Sequence, residues 1–367
     1  MSLSEDAAEP RLTIDLDALA ANYRRLRDLA PAAECAPVLK ADAYGTGAGP
    51  AGRRLWSEGA RTFFIARATE GEALRAELGP DRPARIYVLD GCPAGAAERL
   101  QAAGLIPVLN GLDQFEHWSA AARQGRAIAA LHIDTGLNRL GLRPEEAKAL
   151  AEAPGRLSRL DIDLVVSHLA CGNVENHPMN AKQLAAFLEV AGAFPESKRS
   201  LASSGGAFQG GPYALDMIRP GISLYGGGPF DRPDARIAPV ATLDAPILQI
   251  RALRPGETVG YGAAYTVERP LRAAIIGIGY ADGVLRSASP QGYGWLGGRR
   301  CGILGRVSMD LIAMDVSEID SAAPGQRVEL FGQNLPVDEV AATAGTTSYE
   351  LLSRISPRVR RVHVGAQ

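Results

Sequence analysis

Five groups of residues in this chain have types that could do chemistry. Lys40 stands in Val38-Leu39-Lys40-Ala41-Asp42-Ala43-Tyr44-Gly45-Thr46-Gly47, where an apolar run delivers one lysine and then breaks into a glycine-rich loop. A primary amine at a strand end is held by rigid backbone yet open to a ligand, and partial desolvation lets it lose its proton and attack a carbonyl carbon. Arg139 closes the run Asp134-Thr135-Gly136-Leu137-Asn138, and His168 follows the apolar stretch from Ile162. Ser203-Ser204-Gly205-Gly206 and Arg219-Pro220-Gly221-Ile222-Ser223 are small-residue stretches whose backbone N–H groups could approach an anion. Each has a bland reading too: a surface lysine, a satisfied core histidine, an arginine paired with a surface carboxylate. Only convergence in space would favour chemistry.

The elements between them predict that convergence. From Cys35, apolar runs of strand length alternate with amphipathic helical stretches: Cys35 to Ala41, Thr62 to Ala66, Arg85 to Asp90, Leu105 to Leu109, Ile128 to Asp134, Ile162 to His168, Ser200 to Ser204 and Met217 to Tyr225. The helices expected between them include Ala68 to Leu78, Leu112 to Gln124, Pro144 to Ala153 and Asn180 to Phe194. Eight near-continuously apolar strands with interposed helices predict a closed parallel (β/α)8 TIM-type barrel. Leu12 to Leu16 reads as a preceding strand, with Asp17 as the cap of a helix to about Leu29. After Gly226-Gly227-Gly228-Pro229 the pattern changes to short alternating strands: Ala241 to Leu253, Glu257 to Tyr261, Arg272 to Gly279, Arg300 to Leu304, Arg306 to Val316 and Arg327 to Phe331. A helix near Val337 to Ala344 and a strand from Arg358 to Val364 complete a mostly antiparallel β domain. The expected organisation is a tail over 1–10, a barrel over 11–235 whose strand at 12–16 may join the second domain, and a β domain over 236–367.

Bulk composition narrows the partner. At 367 residues, 46% apolar and 22% charged, the chain can fill two cores, and a net charge of -2 offers no field for nucleic acid or an anionic membrane. The polar, acidic start from Met1 to Pro10 reads as neither signal peptide nor anchor, so a cytoplasmic location is expected. Cys35, Cys92, Cys171 and Cys301 form no C-x-x-C pair and are expected as reduced, buried thiols. The histidines at 117, 132, 168, 177 and 363 show neither H-x-H nor H-E-x-x-H spacing, so no metal site is expected.

In such a barrel the strand ends face one mouth, and a phosphate site commonly lies in the last two loops. Lys40 would then lie beside a cradle built from the Ser203-Ser204-Gly205-Gly206 and Arg219-Pro220-Gly221-Ile222-Ser223 loops, which points to pyridoxal 5′-phosphate (PLP). Arg219 restricts the chemistry, because a guanidinium facing the pyridine nitrogen only donates a hydrogen bond. An unprotonated ring is a weak electron sink, which suits return of a proton to the same carbon.

These stretches, together with Val259-Gly260-Tyr261-Gly262-Ala263-Ala264-Tyr265, Ile278-Gly279-Tyr280-Ala281-Asp282-Gly283 and Gly305-Arg306-Val307-Ser308-Met309-Asp310, resemble the motifs of the alanine racemases, in order and across both domains. The resemblance implies a fold-type III PLP enzyme interconverting L- and D-alanine and supplying D-alanine for peptidoglycan. It implies that Lys40 holds PLP and serves as base on the D face, while Tyr261 of the other subunit of a homodimer serves the L face. An ordinary tyrosine is a poor base near neutrality. The family's remedy is a network, here Tyr261, His168 and Arg219. Tyr44, Ser204, Gly221 and Ile222 match phosphate-binding positions, Arg139 and Met309 match substrate-carboxylate contacts, and Tyr280 matches an entrance residue. His132 departs from the family where many relatives carry a lysine, often carbamylated; Pro357 replaces a tyrosine, and Thr46 and Ser203 replace commoner histidine and asparagine. A broad-specificity or serine racemase, or a decarboxylase of the same fold, is the alternative, although the decarboxylases' cysteine-containing motif is missing here.

Overall fold

The computed structural model describes residues 9–122 and 126–366, so most of the expected tail, and the last expected turn of the helix at 123–124, lie outside the described residues. The chain divides into two compact units, one of residues 20–43 and 47–224, the other of the remaining described residues.

The first unit is the expected (β/α)8 barrel. Its strands are Glu34–Cys35, Thr62–Ile65, Arg85–Val88, Ile106–Leu109, Ala127–His132, Leu160–Val166, Lys198–Ser200 and Met217–Ile218. From Thr62–Ile65 onward each pairs in parallel with the next in sequence, and the last pairs with the first. A parallel bridge between Val38 and Phe64 closes the ring, with Leu39 N donating to Phe64 O at 2.8 Å and Phe64 N to Pro37 O at 2.9 Å. Phe63, Phe64, Ile65, Ile86, Val88, Leu131 and Val165 are buried, as strands covered on both faces require.

Several expected strands shorten, each for a local reason. The Cys35 to Ala41 run is a strand only at Glu34–Cys35; Pro37 brings no N–H, and backbone from Ala41 onward turns left-handed. The strand expected at Ser200 to Ser204 is Lys198–Ser200, and Ser204 instead begins the short helix Ser204–Gln209. Met217–Ile218 ends before Pro220, so Arg219 lies just beyond the last strand, and Ile222–Leu224 is a 3-10 turn.

The second unit is an antiparallel sheet with one parallel pair. Its strands are Arg11–Asp15, Ala241–Leu253, Leu271–Ile276, Tyr293–Leu296, Arg299–Gly302, Ile312–Asp315, Arg327–Phe331 and Arg360–Val364. The 13-residue strand Ala241–Leu253 is its spine, pairing with Arg11–Asp15, Leu271–Ile276 and Arg327–Phe331. Arg11–Asp15 adds Arg360–Val364 in parallel. The helix Leu16–Leu29 is capped by Asp15, whose Oδ1 accepts from Asp17 N and Ala18 N at 2.9 Å each, in place of Asp17.

Here too the expected strands contract. Glu257 to Tyr261 is a strand only at Thr258–Val259, paired with Tyr265–Thr266, and Tyr261 sits in the turn between them. Arg306 to Leu311 is loop, leaving Ile312–Asp315 as strand. Left-handed Gly260 and Gly305 impose both breaks, because a Cβ on Gly305 would meet Val259 O at 2.6 Å.

Candidate active site

Lys40 is held by its neighbours' backbone. After it, Ala41, Asp42, Ala43 and Tyr44 all have positive φ, between 53° and 58°, a left-handed turn costing about 1–2 kcal/mol per residue in isolation. Tertiary bonds over-determine it. Glu70 accepts from Ala41 N at 2.8 Å through one oxygen, and from Ala66 N and Arg67 N through the other. Asp42 Oδ1 accepts from Ala48 N at 2.7 Å, and Gly47 N donates to Asp42 O at 2.9 Å. The turn therefore aims the amine from a fixed base. Burial, reinforced by the cationic Arg139 and Arg219, holds the Lys40 ammonium below the ordinary lysine range.

Arg219 is buried and tethered along two edges of its guanidinium. Its Nε donates to Ser200 Oγ at 2.9 Å, and its Nη2 donates to the carbonyl oxygens of Ser167 and Leu201. Nη1 makes no bond among the described residues and stays available as a donor. Burial lowers Arg219 to about 10, which leaves it charged at neutral pH. His168 is pushed down to about 3, first by burial and then by Arg219, Arg139 and Lys40, so its ring is neutral. Lys40, Arg139, His168 and Arg219 thus share one electrostatic neighbourhood within the barrel unit.

His132 belongs to the same neighbourhood, lowered to about 4 by burial and then by Arg219. Its Nδ1 lies 2.8 Å from Asn110 Oδ1, while Asn110 Nδ2 donates to Leu89 O at 2.8 Å. With that amide used as donor, Asn110 Oδ1 accepts, so the neutral imidazole carries its proton on Nδ1 and presents Nε2 as a lone pair. Arg139 is exposed and makes no hydrogen bond or ion pair among the described residues. Its loop is shaped by Asp134 Oδ1, which accepts from Gly136 N, Leu137 N and Asn138 N at 2.9–3.1 Å.

The anion cradle is closed by a buried serine. Ser204 Oγ accepts from Gly221 N at 3.1 Å and Ser223 N at 3.3 Å, tying the last two barrel loops together. Ser223 Oγ is buried without a partner, and Ile222 N makes no hydrogen bond among the described residues. A half-buried amine with a weakened hold on its proton, a charged donor with a free edge, and an unsatisfied serine hydroxyl fit PLP.

Tyr44, Tyr261, Tyr280 and Met309 belong to the other unit. Tyr44 is buried with its ring stacked on Tyr225 at 4.8 Å, and burial raises its hydroxyl above the ordinary range. Tyr280 N donates to Ser308 O and Ala281 N to Met309 O, both at 3.0 Å, so these two segments lie side by side. Tyr261 is 74% exposed, Met309 52% and Tyr280 43%. The supporting residues Glu70 and Asn110 carry no sequence signal of their own, because each acts through a tertiary contact.

Two family models match the chain. The alanine racemase N-terminal domain matches residues 14–229 and the alanine racemase C-terminal domain matches 240–363. The chain is 46% identical over 358 residues to an alanine racemase of Methylobacterium sp. (strain 4-46), covering 96% of this chain and 97% of the relative. It is 43% identical to a catabolic alanine racemase of Agrobacterium fabrum, covering 97% of this chain and 92% of the relative. A crystal structure of alanine racemase from Bartonella henselae with covalently bound pyridoxal phosphate superposes with a TM-score of 0.92 at 36% identity, over 97% of this chain and 100% of that one.

Proposed function

The chain belongs to the alanine racemase family of PLP-dependent isomerases, and from that premise we propose that it interconverts L- and D-alanine with Lys40 and Tyr261 as opposed bases. The observation that carries this reading is the Lys40 amine, half-buried, depressed by burial and placed among Arg139, Arg219 and His168. PLP, when bound, supplies the electron sink that acidifies the Cα–H bond of an attached amino acid. Lys40 would hold it covalently, with Ser204, Gly221, Ile222 and Tyr44 at its phosphate and His168 and Arg219 toward its ring. Arg219 offers donors only, so toward the ring it would supply a hydrogen bond but no proton, which disfavours transamination. Arg139 and the Met309 backbone would orient the substrate carboxylate.

Two bases solve a geometric problem. The α-proton leaves from one face and returns to the other, so Lys40 Nζ holds it on the D side and the Tyr261 hydroxyl on the L side. Tyr261 is exposed on its own chain, which suits delivery into a second copy and a homodimer with shared sites. Incubation of L-alanine with the holoenzyme in deuterium oxide tests the activity: loss of optical rotation with one Cα deuterium supports it, and release of carbon dioxide or pyruvate sinks it. Mixing Lys40→Ala with Tyr261→Phe tests sharing. Activity above both parents supports it; none despite subunit exchange refutes it. The proposed setting is the cytoplasm and the proposed outlet peptidoglycan, so deletion should make growth depend on D-alanine.

A further inference from the structure

We propose that Gln183, a fully buried residue of the helix Pro178–Ala191, is a positioning residue that locks the Arg139 loop, His168 and Arg219 into one register. The inference rests on the site reading given above. Gln183 Oε1 accepts from Ala170 N at 2.8 Å, while its Nε2 donates to His168 O at 3.0 Å and to Thr135 Oγ1 at 3.1 Å. The two ends of the amide cannot be exchanged, because a backbone N–H only donates and a backbone carbonyl only accepts. Thr135 Oγ1 lies 2.8 Å from Ser167 Oγ, and the carbonyl of the same Ser167 receives Arg219 Nη2. Thr135 sits in the loop that Asp134 shapes around Arg139.

One amide therefore joins two strand ends directly, and Ser167 extends the link to Arg219 beyond a third. Gln183, Thr135 and Ser167 are at most 9% exposed, so water is a poor substitute for any bond removed. Such a network acts as a unit, and its loss is felt by all three groups together. Gln183 and Thr135 touch neither the substrate nor the cofactor in this reading. Their effect passes through Arg139, which would meet the substrate carboxylate, and through His168 and Arg219.

Propionate, which is alanine without its amine, probes carboxylate binding apart from turnover. Its dissociation constant on the holoenzyme, by calorimetry, and KM for alanine are measured for Thr135→Val, Gln183→Leu and the double variant. Thr135→Val removes two buried hydrogen bonds and Gln183→Leu three, and each should raise both quantities by at least about tenfold. The double variant should match the worse single, and Thr135→Ser should restore the parent values to within about twofold. Unchanged propionate binding in Thr135→Val, or effects that multiply in the double variant, would overturn the proposal. Should Gln183→Leu fail to fold, Gln183→Glu replaces it: it keeps the Ala170 bond, loses the donor to His168 O, and must show the same loss. Arg139→Ala separates the two readings. If it too leaves propionate binding unchanged, the site reading falls; if it weakens binding while Thr135→Val does not, only the positioning role falls.

Discussion

The two units carry their proposed site residues in opposite ways. In the barrel, Arg219 spends Nε and Nη2 on its own chain, His132 is fixed by Asn110, and Lys40 rises from a left-handed turn clamped by Glu70. In the β unit, Tyr261, Met309 and Tyr280 are exposed, and their positions come from backbone turns rather than from side-chain bonds. Lys40, His132, His168 and Arg219 thus have their electrostatics set by burial within one chain. The β-unit residues wait on whatever covers them, because a cluster of exposed large apolar groups is usual at an interface and uncommon on a lone surface.

Replacing Lys40 by alanine attacks the buried side of this contrast and should have the largest effect. Racemisation should fall by on the order of 10⁴-fold or more, since both the covalent hold and one base are lost. Chiral chromatography of the alanine pool measures it, and loss of the visible absorbance of covalently held cofactor on gel filtration checks the hold separately. A variant retaining activity within about tenfold of the parent would remove Lys40 from the mechanism.

Tyr261→Phe attacks the exposed side. Activity should drop by roughly 10²–10³-fold, the worth of one general base, while thermal unfolding stays within about 1 °C, because an exposed hydroxyl contributes little to the fold. Exchange of the α-proton with deuterium oxide should suffer more on the L face than on the D face. Equal loss on both faces would make Tyr261 a packing residue. A large fall in unfolding temperature would show that its side chain is not free on its own chain.

How much of this could be read beforehand follows the same division between local pattern and tertiary contact. The barrel showed in runs such as Thr62 to Ala66 and Arg85 to Asp90, whose unbroken apolarity belongs to strands covered on both faces. Lys40 and Arg219 stood out because their residue types at the edges of small-residue loops are chemically unusual, whereas Tyr261 came only from the resemblance to the alanine racemases. The left-handed turn after Lys40 did not, since Ala-Asp-Ala-Tyr has no local reason to adopt positive φ. Glu70, 29 residues from Ala41, imposes it. Asn110 and Gln183 were silent for the same reason: a buried amide is a core residue until its partners are known. The strand ends at Ser200 and Ile218 were overrun because apolar small residues continue past the point where pairing stops.

The smallest expected effect concerns pH and belongs to the buried side alone. His168 and His132 are lowered to about 3 and about 4 in the folded chain, chiefly by burial, from an ordinary value near 6.5. Between those limits the unfolded chain takes up protons that the folded chain refuses, so stability is fully present above about pH 6.5 and is lost as pH falls toward 4. Each histidine contributes a slope of about 1.4 kcal/mol per pH unit in that window, in the direction of greater stability at higher pH. Carboxylates add to the same trend below pH 5, so the window from about pH 6 to 5 isolates the histidines. Urea unfolding of the cofactor-free protein should show this slope there, and His168→Gln should flatten it by about one histidine's share. A slope left unchanged by His168→Gln would mean that burial in the barrel does not set the charge of His168.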